Sequence, residues 1–584
     1  MILALALVLA QVDAGAAADE LVAPPVTSDA PVADVDAGTP APVVLEDVPP
    51  PPMMTAAEAP APAAGFVKGE LSVYLGSDRL SVKRNRVGVS IGGDYFLNVL
   101  YTLVEPQVDL RFFDSKLGIG IGVPLRIEIF SFQNLFRRAG TIRKEDYDTF
   151  HDFGRILKYV NYGKKEDNFY VNIGQRYATS IGHGTIMRRY APNIDVDYPR
   201  VSAEVDYYND YAGFEAFTND VLEWSVISAI AFVKPFSFFK PQNLLLKTLS
   251  VGVTGALDRN APSSIIYDPN TGARSVTSDN RIAANTAPLG LVGVDAEVKV
   301  LKTENVDIKP YVDYSMIVGG GGGFTAGALG RFNFGRDPVN AFRVVVEARY
   351  LDSRYQPSYF DTFYEIDRYQ ARINGTNRFG IYNYLTKRES IVQQGLGTRG
   401  GLYAELSWGI PNVIGLTVAF EAVTNSDLKN FVAHFELPWL NFLQIFGSFY
   451  KRGFKNVEEF AKADENSVLF AGLRLRTLPF LFINGRVYKT FRVNNDAQRY
   501  DNQFGFSIDV ELGFEFGRSR AEAEELQKNE PPPPVEPTPA TEGPPPTPAA
   551  EPGTEPAAQQ PVEPISPDNQ PQPAPGQPSP SPSN

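Results

Sequence analysis

The chain has 584 residues, 54 Lys and Arg against 68 Asp and Glu for a net charge of −14, and no cysteine. No region of this acidic chain is strongly basic, which argues against a nucleic-acid partner held by phosphate contacts. The missing thiols exclude disulfides and thiolate metal sites, and suit passage through an oxidising compartment.

In chain order, MILALALVLAQVDAGAAADE opens with an apolar run and carries small residues around Ala16 and Ala18 where a signal peptidase could cut. This predicts a secretory signal over 1–18. Residues 19–64 are Ala, Pro, Val and acids, too poor in large apolar groups to fold, and are expected to be a disordered linker or spacer. No later run approaches the ~18 apolar residues of a membrane helix.

From 65 to 516 the dominant signal is strict alternation, the period of a strand. Leu117, Ile119, Ile121, Val123, Leu125, Ile127 and Ile129 oppose Gly118, Gly120, Gly122, Arg126 and Glu128. Val294, Ala296, Val298 and Val300 oppose Asp295, Glu297 and Lys299, and Phe342, Val344, Val346, Ala348 and Tyr350 oppose Arg343, Glu347 and Arg349. A soluble sandwich also alternates, but its strands run ~5–6 residues, whereas runs of ~9–13 suit a tilted strand crossing a bilayer. Long connections are expected at 131–155, 176–199, 258–288 and 352–396, separated by even numbers of strands, which puts them at one end of a barrel. The predicted fold is all-β: a transmembrane antiparallel up-and-down β-barrel of about 18–20 strands over 65–516. A Pro-rich, acidic, disordered tail follows over 517–584.

The last alternating run is FGFSIDVELGFEF, with Phe504, Phe506, Ile508, Val510, Leu512, Phe514 and Phe516 on one face. It resembles the final strand of Gram-negative outer-membrane, porin-like β-barrels, which ends on an aromatic read by the barrel-assembly machinery. The resemblance implies that Phe516 is that aromatic. It also implies an integral protein of the outer membrane with periplasmic termini, and outer-membrane lipid and the assembly machinery as partners. One departure is that 517–584 follow the signal.

If the apolar faces meet lipid, charges of both signs line a lumen. Arg331, Arg343 and Arg349 share inward parity on two neighbouring strands with Glu347. They adjoin a long aromatic connection carrying Asp361, Glu365 and Asp367. Folded inward, that loop would face the arginines and constrict a channel. Folded outward, it would cap the barrel, and the inward charges would simply solvate a wide interior. The glycine run over 318–330 reads as a flexible turn, or as room for another backbone.

Chemistry is not expected. SIGHGT puts Ser180 near His183 with no third partner, and His434 with Glu436 does not make a metal site. GLGTRG precedes a strand rather than a helix, so it is not a dinucleotide loop. No catalytic residue, cofactor or metal is assigned. The expected function is a porin-like channel for diffusion or export of polar solutes. The alternative is a plugged or partner-gated barrel, an envelope anchor or a component of a polysaccharide-export or motility assembly. An open lumen favours the first, and a lumen sealed by 131–165 or 352–396 the second. Extended, the Pro-rich tail would reach on the order of 150 Å, far enough to touch peptidoglycan or a periplasmic protein.

Overall fold

The computed structural model describes residues 85–517 apart from 114–115, 132–137, 164–167, 177, 240, 336–339, 395–396, 411–412, 425–428, 438–441, 463 and 495–496. The predicted signal segment, both Pro-rich segments and 65–84 of the predicted barrel therefore lie outside the described residues.

Twenty antiparallel strands form one closed sheet. In order they are Asn85–Phe96, Val99–Phe112, Leu117–Gly122 continued by Leu125–Ser131, Leu157–Tyr162, Phe169–Gly174, Ser202–Tyr208, Ala212–Thr218, Val226–Val233, Ser250–Asp258 and Leu289–Glu297 continued by Leu301–Lys302. The second half comprises Val306–Ile317, Gly322–Phe334, Asn340–Leu351, Arg399–Ile410, Ile414–Val423, Lys429–Leu437, Leu443–Arg452, Ser467–Leu478, Leu481–Asn494 and Arg499–Phe516. The alternating run over 117–129 is one strand broken at Pro124, because proline cannot donate to the ladder. The last strand closes the barrel on the first, in register from Asn85 opposite Phe516 to Phe96 opposite Gly505.

Burial is the reverse of that in a soluble protein. Ile508, Val294 and Tyr350 are 60%, 54% and 65% exposed, while their inward neighbours Asp509, Asp295 and Arg349 are 1%, 6% and 5% exposed. At roughly 25 cal/mol per Å² of apolar surface, a continuous outer belt of this kind is costly in water and favourable in lipid. The apolar faces therefore meet hydrocarbon.

The connections 132–156, 175–201, 259–288, 352–398 and 453–466 all follow odd-numbered strands, so they share the end opposite the termini, as the loop spacing predicts. At the terminus end the turns are short, except 234–249, which holds the short helix Leu244–Thr248.

Inward glycines set the local width of the wall. A Cβ on Gly118, Gly120 or Gly122 would fall within 2.4 Å of Arg111, Tyr159 or Lys158 respectively, so the three vacancies are filled by side chains from neighbouring strands. At the seam a Cβ on Gly92 would lie 2.1 Å from the Ile508 carbonyl oxygen, which is backbone and cannot rotate away. Gly92→Val is expected to destabilise closure by about 1–3 kcal/mol or to block it. Gly255→Val, with nothing within 4 Å of its Cβ, is expected to be neutral. Denaturant midpoints of the two variants in detergent check this.

Candidate functional site: a segment across the lumen

The connection 175–201 leaves the loop end and folds into the barrel. Its tip is a tight turn, Ile181 to Gly184, which Gly182 (φ +57°) and Gly184 (φ +79°) permit because a side chain rarely adopts that backbone region. A bridge between Thr179 and Tyr190 closes the hairpin. Ile181, Ile186, Met187 and Tyr190 are at most 2% exposed and pack with Phe217, Ile230, Leu291 and Leu351 of the wall. Burial of these side chains, about 1.5–3 kcal/mol each, draws the segment inward.

The connection 352–398 locks the hairpin from the loop side. The Ser358 amide donates to the Thr185 carbonyl at 2.7 Å, and the Phe360 amide to the Ile186 carbonyl at 3.1 Å. In return the Arg188 amide donates to the Phe360 carbonyl at 3.0 Å, so the two segments share a short parallel ladder. Farther along, Ile194 and Val196 bond to Phe491, covering the strand edge left bare where pairing with Ser467–Leu478 stops at Lys489.

Electrostatics fasten the tip to several strands. Arg188 meets Glu347 at 2.5 Å, and Arg189 pairs with Glu405. Thr185 Oγ1 donates to Asp313 at 2.9 Å, and the Gly182 amide to Glu215 at 3.0 Å. At the hairpin's foot Arg176 meets Glu204 at 2.5 Å. His183 stacks flat on Tyr311 with centroids 3.9 Å apart, its Nε2 3.4 Å from Glu297 and 3.6 Å from Asp295. Tyr311 can take this position because Gly327 opposite it has no side chain, a Cβ there falling 2.5 Å from the phenol ring.

The predicted lumen residues are placed as follows. Arg343 pairs with Glu405, Arg349 lies between Glu347 and Glu421, and Arg331 lines the cavity beneath the hairpin. Glu347 also accepts from Tyr311 at 2.6 Å. Asp361 pairs with Lys387 at 3.0 Å, Glu365 with Arg200 at 2.8 Å and Arg368 at 3.3 Å, and Asp367 with Arg452. Glu365 and Asp367 are buried and Asp361 half-buried among these other cations, and Arg343 and Arg349 pair with carboxylates of the wall.

The glycine run is used for close approach rather than slack. The Gly321 amide donates to the Arg354 carbonyl at 3.2 Å, and a Cβ at Gly321 would lie 2.8 Å from that backbone. Ser180 Oγ accepts from the Arg189 amide at 2.9 Å, a hairpin bond rather than a nucleophile's contact to His183. His434 Nδ1 lies 2.7 Å from Ser448 Oγ, and its Nε2 3.7 Å from Glu436. Arg188 and Arg189 escape a reading by period because they belong to a connection. The available signal was two adjacent arginines behind a Gly-His-Gly turn flanked by apolar residues.

Beneath the hairpin a cavity of about 780 Å³ opens at the terminus end, among the turns after Ser202–Tyr208, Val226–Val233 and Leu289–Lys302. His183, Arg188 and Arg189 roof it.

No family model matches this chain, nor does any curated protein. Among solved structures it is similar to a mutant ferric enterobactin receptor of Pseudomonas aeruginosa, at 8% identity over 74% of this chain and 80% of that one, with a TM-score of 0.33. It is also similar to Wzi of Escherichia coli, described as a carbohydrate-binding β-barrel involved in group 1 capsule assembly, at 11% identity over 75% and 87%, with a TM-score of 0.29. OccK11 of Pseudomonas aeruginosa matches at 10% identity over 74% and 95%, with a TM-score of 0.27. At these values the likenesses carry nothing beyond the barrel already described. The closed even-stranded sheet, apolar belt and charged interior make the chain a transmembrane antiparallel β-barrel. Its lumen is occupied by its own loops.

One group in the crossing segment gives a pH handle. Asp195 is 3% exposed, and its carboxyl is pushed up to about 7 by burial first and by Asp197 second, against the Asp197 amide, Arg200 and Arg155. The docked segment therefore holds a proton that a free segment, with the ordinary value of 3.8, releases. Docking weakens as pH rises from about 4 through about 7. Amide exchange over 176–200, corrected for intrinsic rates, is expected to be faster at about pH 8 than at about pH 5, and Asp195→Asn should remove the difference.

Proposed function

We propose that the protein is a plugged outer-membrane barrel, closed at rest, that passes a polar solute only when 175–201 leaves the lumen. The observation that carries this is the hairpin's attachment to inward carboxylates on Ala212–Thr218, Val306–Ile317, Asn340–Leu351 and Arg399–Ile410. Stripping a buried charge of its partner costs about 3–5 kcal/mol, so parting even two such pairs makes spontaneous opening rare. A ligand or partner that favours the open state must supply the difference.

Of the two readings open to the sequence, the gated barrel is the better supported and the unobstructed channel the weaker. The barrel acts by binding and passage rather than by covalent chemistry, since Ser180 and His183 are both engaged in holding the hairpin. The termini face the periplasm in this reading, so the Pro-rich tail 517–584 can tether the barrel to peptidoglycan or to a periplasmic protein that pulls it open.

Single-channel recording in a planar bilayer tests the proposal. The intact protein is expected to be silent. Replacing 180–190 by a flexible Gly-Ser linker should give steady conductance, and Arg188→Ala with Arg189→Ala should give brief openings. Steady conductance from the intact protein would overturn the reading.

A further inference from the structure

The terminus-end cavity has a charge balance opposite to that of the chain. It is lined by nine Lys and Arg against five Asp and Glu, in a protein of net charge −14. Five of its cations already have carboxylate partners: Lys309 meets Glu297 at 2.5 Å, Lys299 meets Asp307 at 2.5 Å, Arg188 meets Glu347, and Arg189 and Arg343 share Glu405. Lys234, Lys247 and Lys302 at the mouth have no carboxylate ion pair among the described residues; Lys234 donates to the Asn209 carbonyl at 3.3 Å and lies over the Phe232 ring. Deeper in, Arg343 Nε is buried with no hydrogen-bond partner among the described residues, although the same guanidinium pairs with Glu405. Tyr208, Tyr211 and Phe232 also line it, with Tyr211 stacked on Phe238.

The roof completes the pattern. The underside of the hairpin presents His183, Arg188 and Arg189 to the cavity, and these are the groups that hold it to Glu297, Glu347 and Glu405. An anion entering from the terminus end therefore meets lysines at the mouth and, at the far end, the cations that latch the plug. A carboxylate or phosphate there offers those cations the partner they otherwise find only on the wall.

We infer that this cavity binds a solute carrying several carboxylate or phosphate groups, and that the bound anion competes with the wall carboxylates for Arg188 and Arg189 and so unlatches the hairpin. The inference rests on the gated-barrel reading for its second half. The volume falls within the roughly 300–1,000 Å³ typical of small-molecule sites, which admits an oligomeric acidic sugar as well as a polyphosphate. The charge is neutralised by exchange of partners, with no covalent step. Because the mouth lysines are partly or fully exposed, affinity should fall as salt rises.

Calorimetric titration of the detergent-purified full chain with trigalacturonate, tripolyphosphate and neutral maltotriose tests the site. Binding of either anion is expected, with maltotriose at least roughly tenfold weaker. Preference for trigalacturonate would assign the site to acidic sugars, and preference for tripolyphosphate to phosphates. Lys247→Glu with Lys302→Glu, both exposed and outside the latch, should weaken anion binding roughly tenfold while leaving the unfolding midpoint unchanged. Equal binding of maltotriose, no binding of either anion, or wild-type affinity in the double variant would overturn the site. Amide exchange over 180–190 should quicken when the anion binds, and unchanged exchange with anion bound would overturn the unlatching. Binding is read without conductance, so an intact protein that conducts steadily yet binds the anion sinks the gated barrel and leaves the site standing.

Discussion

Glu347 is 0% exposed and is shared by Arg188 from the crossing hairpin, Arg349 from its own strand and Tyr311 from a nearby strand. A carboxylate in that position is tolerable only because each of its lone pairs meets a donor. The junction joins wall to hairpin. The same carboxylate that makes the lumen wall polar also needs a cation, and the hairpin is the element that brings one. Glu405 repeats the arrangement with Arg189, Arg343 and the Tyr403 hydroxyl. Barrel wall and crossing hairpin are in this sense one electrostatic unit.

A second network holds the seam. Arg86 on the first strand meets Glu511 on the last at 2.7 Å and Asp109 on the second at 2.5 Å, and Arg474 reaches Glu511 at 3.0 Å. These pairs lie inside the wall where the first and last strands join, while Val510 and Leu512 face lipid on the other side. Closure thus draws on ladder hydrogen bonds, the outer apolar belt and an inner charge network together. Glycines at Gly88 and Gly92 let the two strands approach.

Much of the architecture is legible in the residues because strand parity is local. Alternation over 504–516 marks a strand with one lipid face, and the structure extends it back to Arg499 in the same register. The same parity places Asp295, Glu347 and Arg349 inside and Val294, Val346 and Tyr350 outside. Even spacing between long connections places those connections at one end. The partners of the inward charges are another matter. Arg343 and Glu405 lie on paired strands yet 62 positions apart, and Arg188 and Glu347 are 159 apart, with no periodic relation linking them. The crossing hairpin is read from sequence only as a long connection, since a connection carries no period that says which way it folds.

The sequence by itself determined the all-β transmembrane class, the inward and outward faces, the even strand number and the end at which the long loops gather. The reason is that each follows from side chains alternating along one strand and from the solvent each face must meet. Only the tertiary structure decided that 175–201 turns inward, that its arginines meet the wall carboxylates Glu347 and Glu405, and that a basic cavity remains beneath it. Those outcomes depend on which buried carboxylate finds which cation across the lumen, a choice made in three dimensions between residues that chain order leaves far apart.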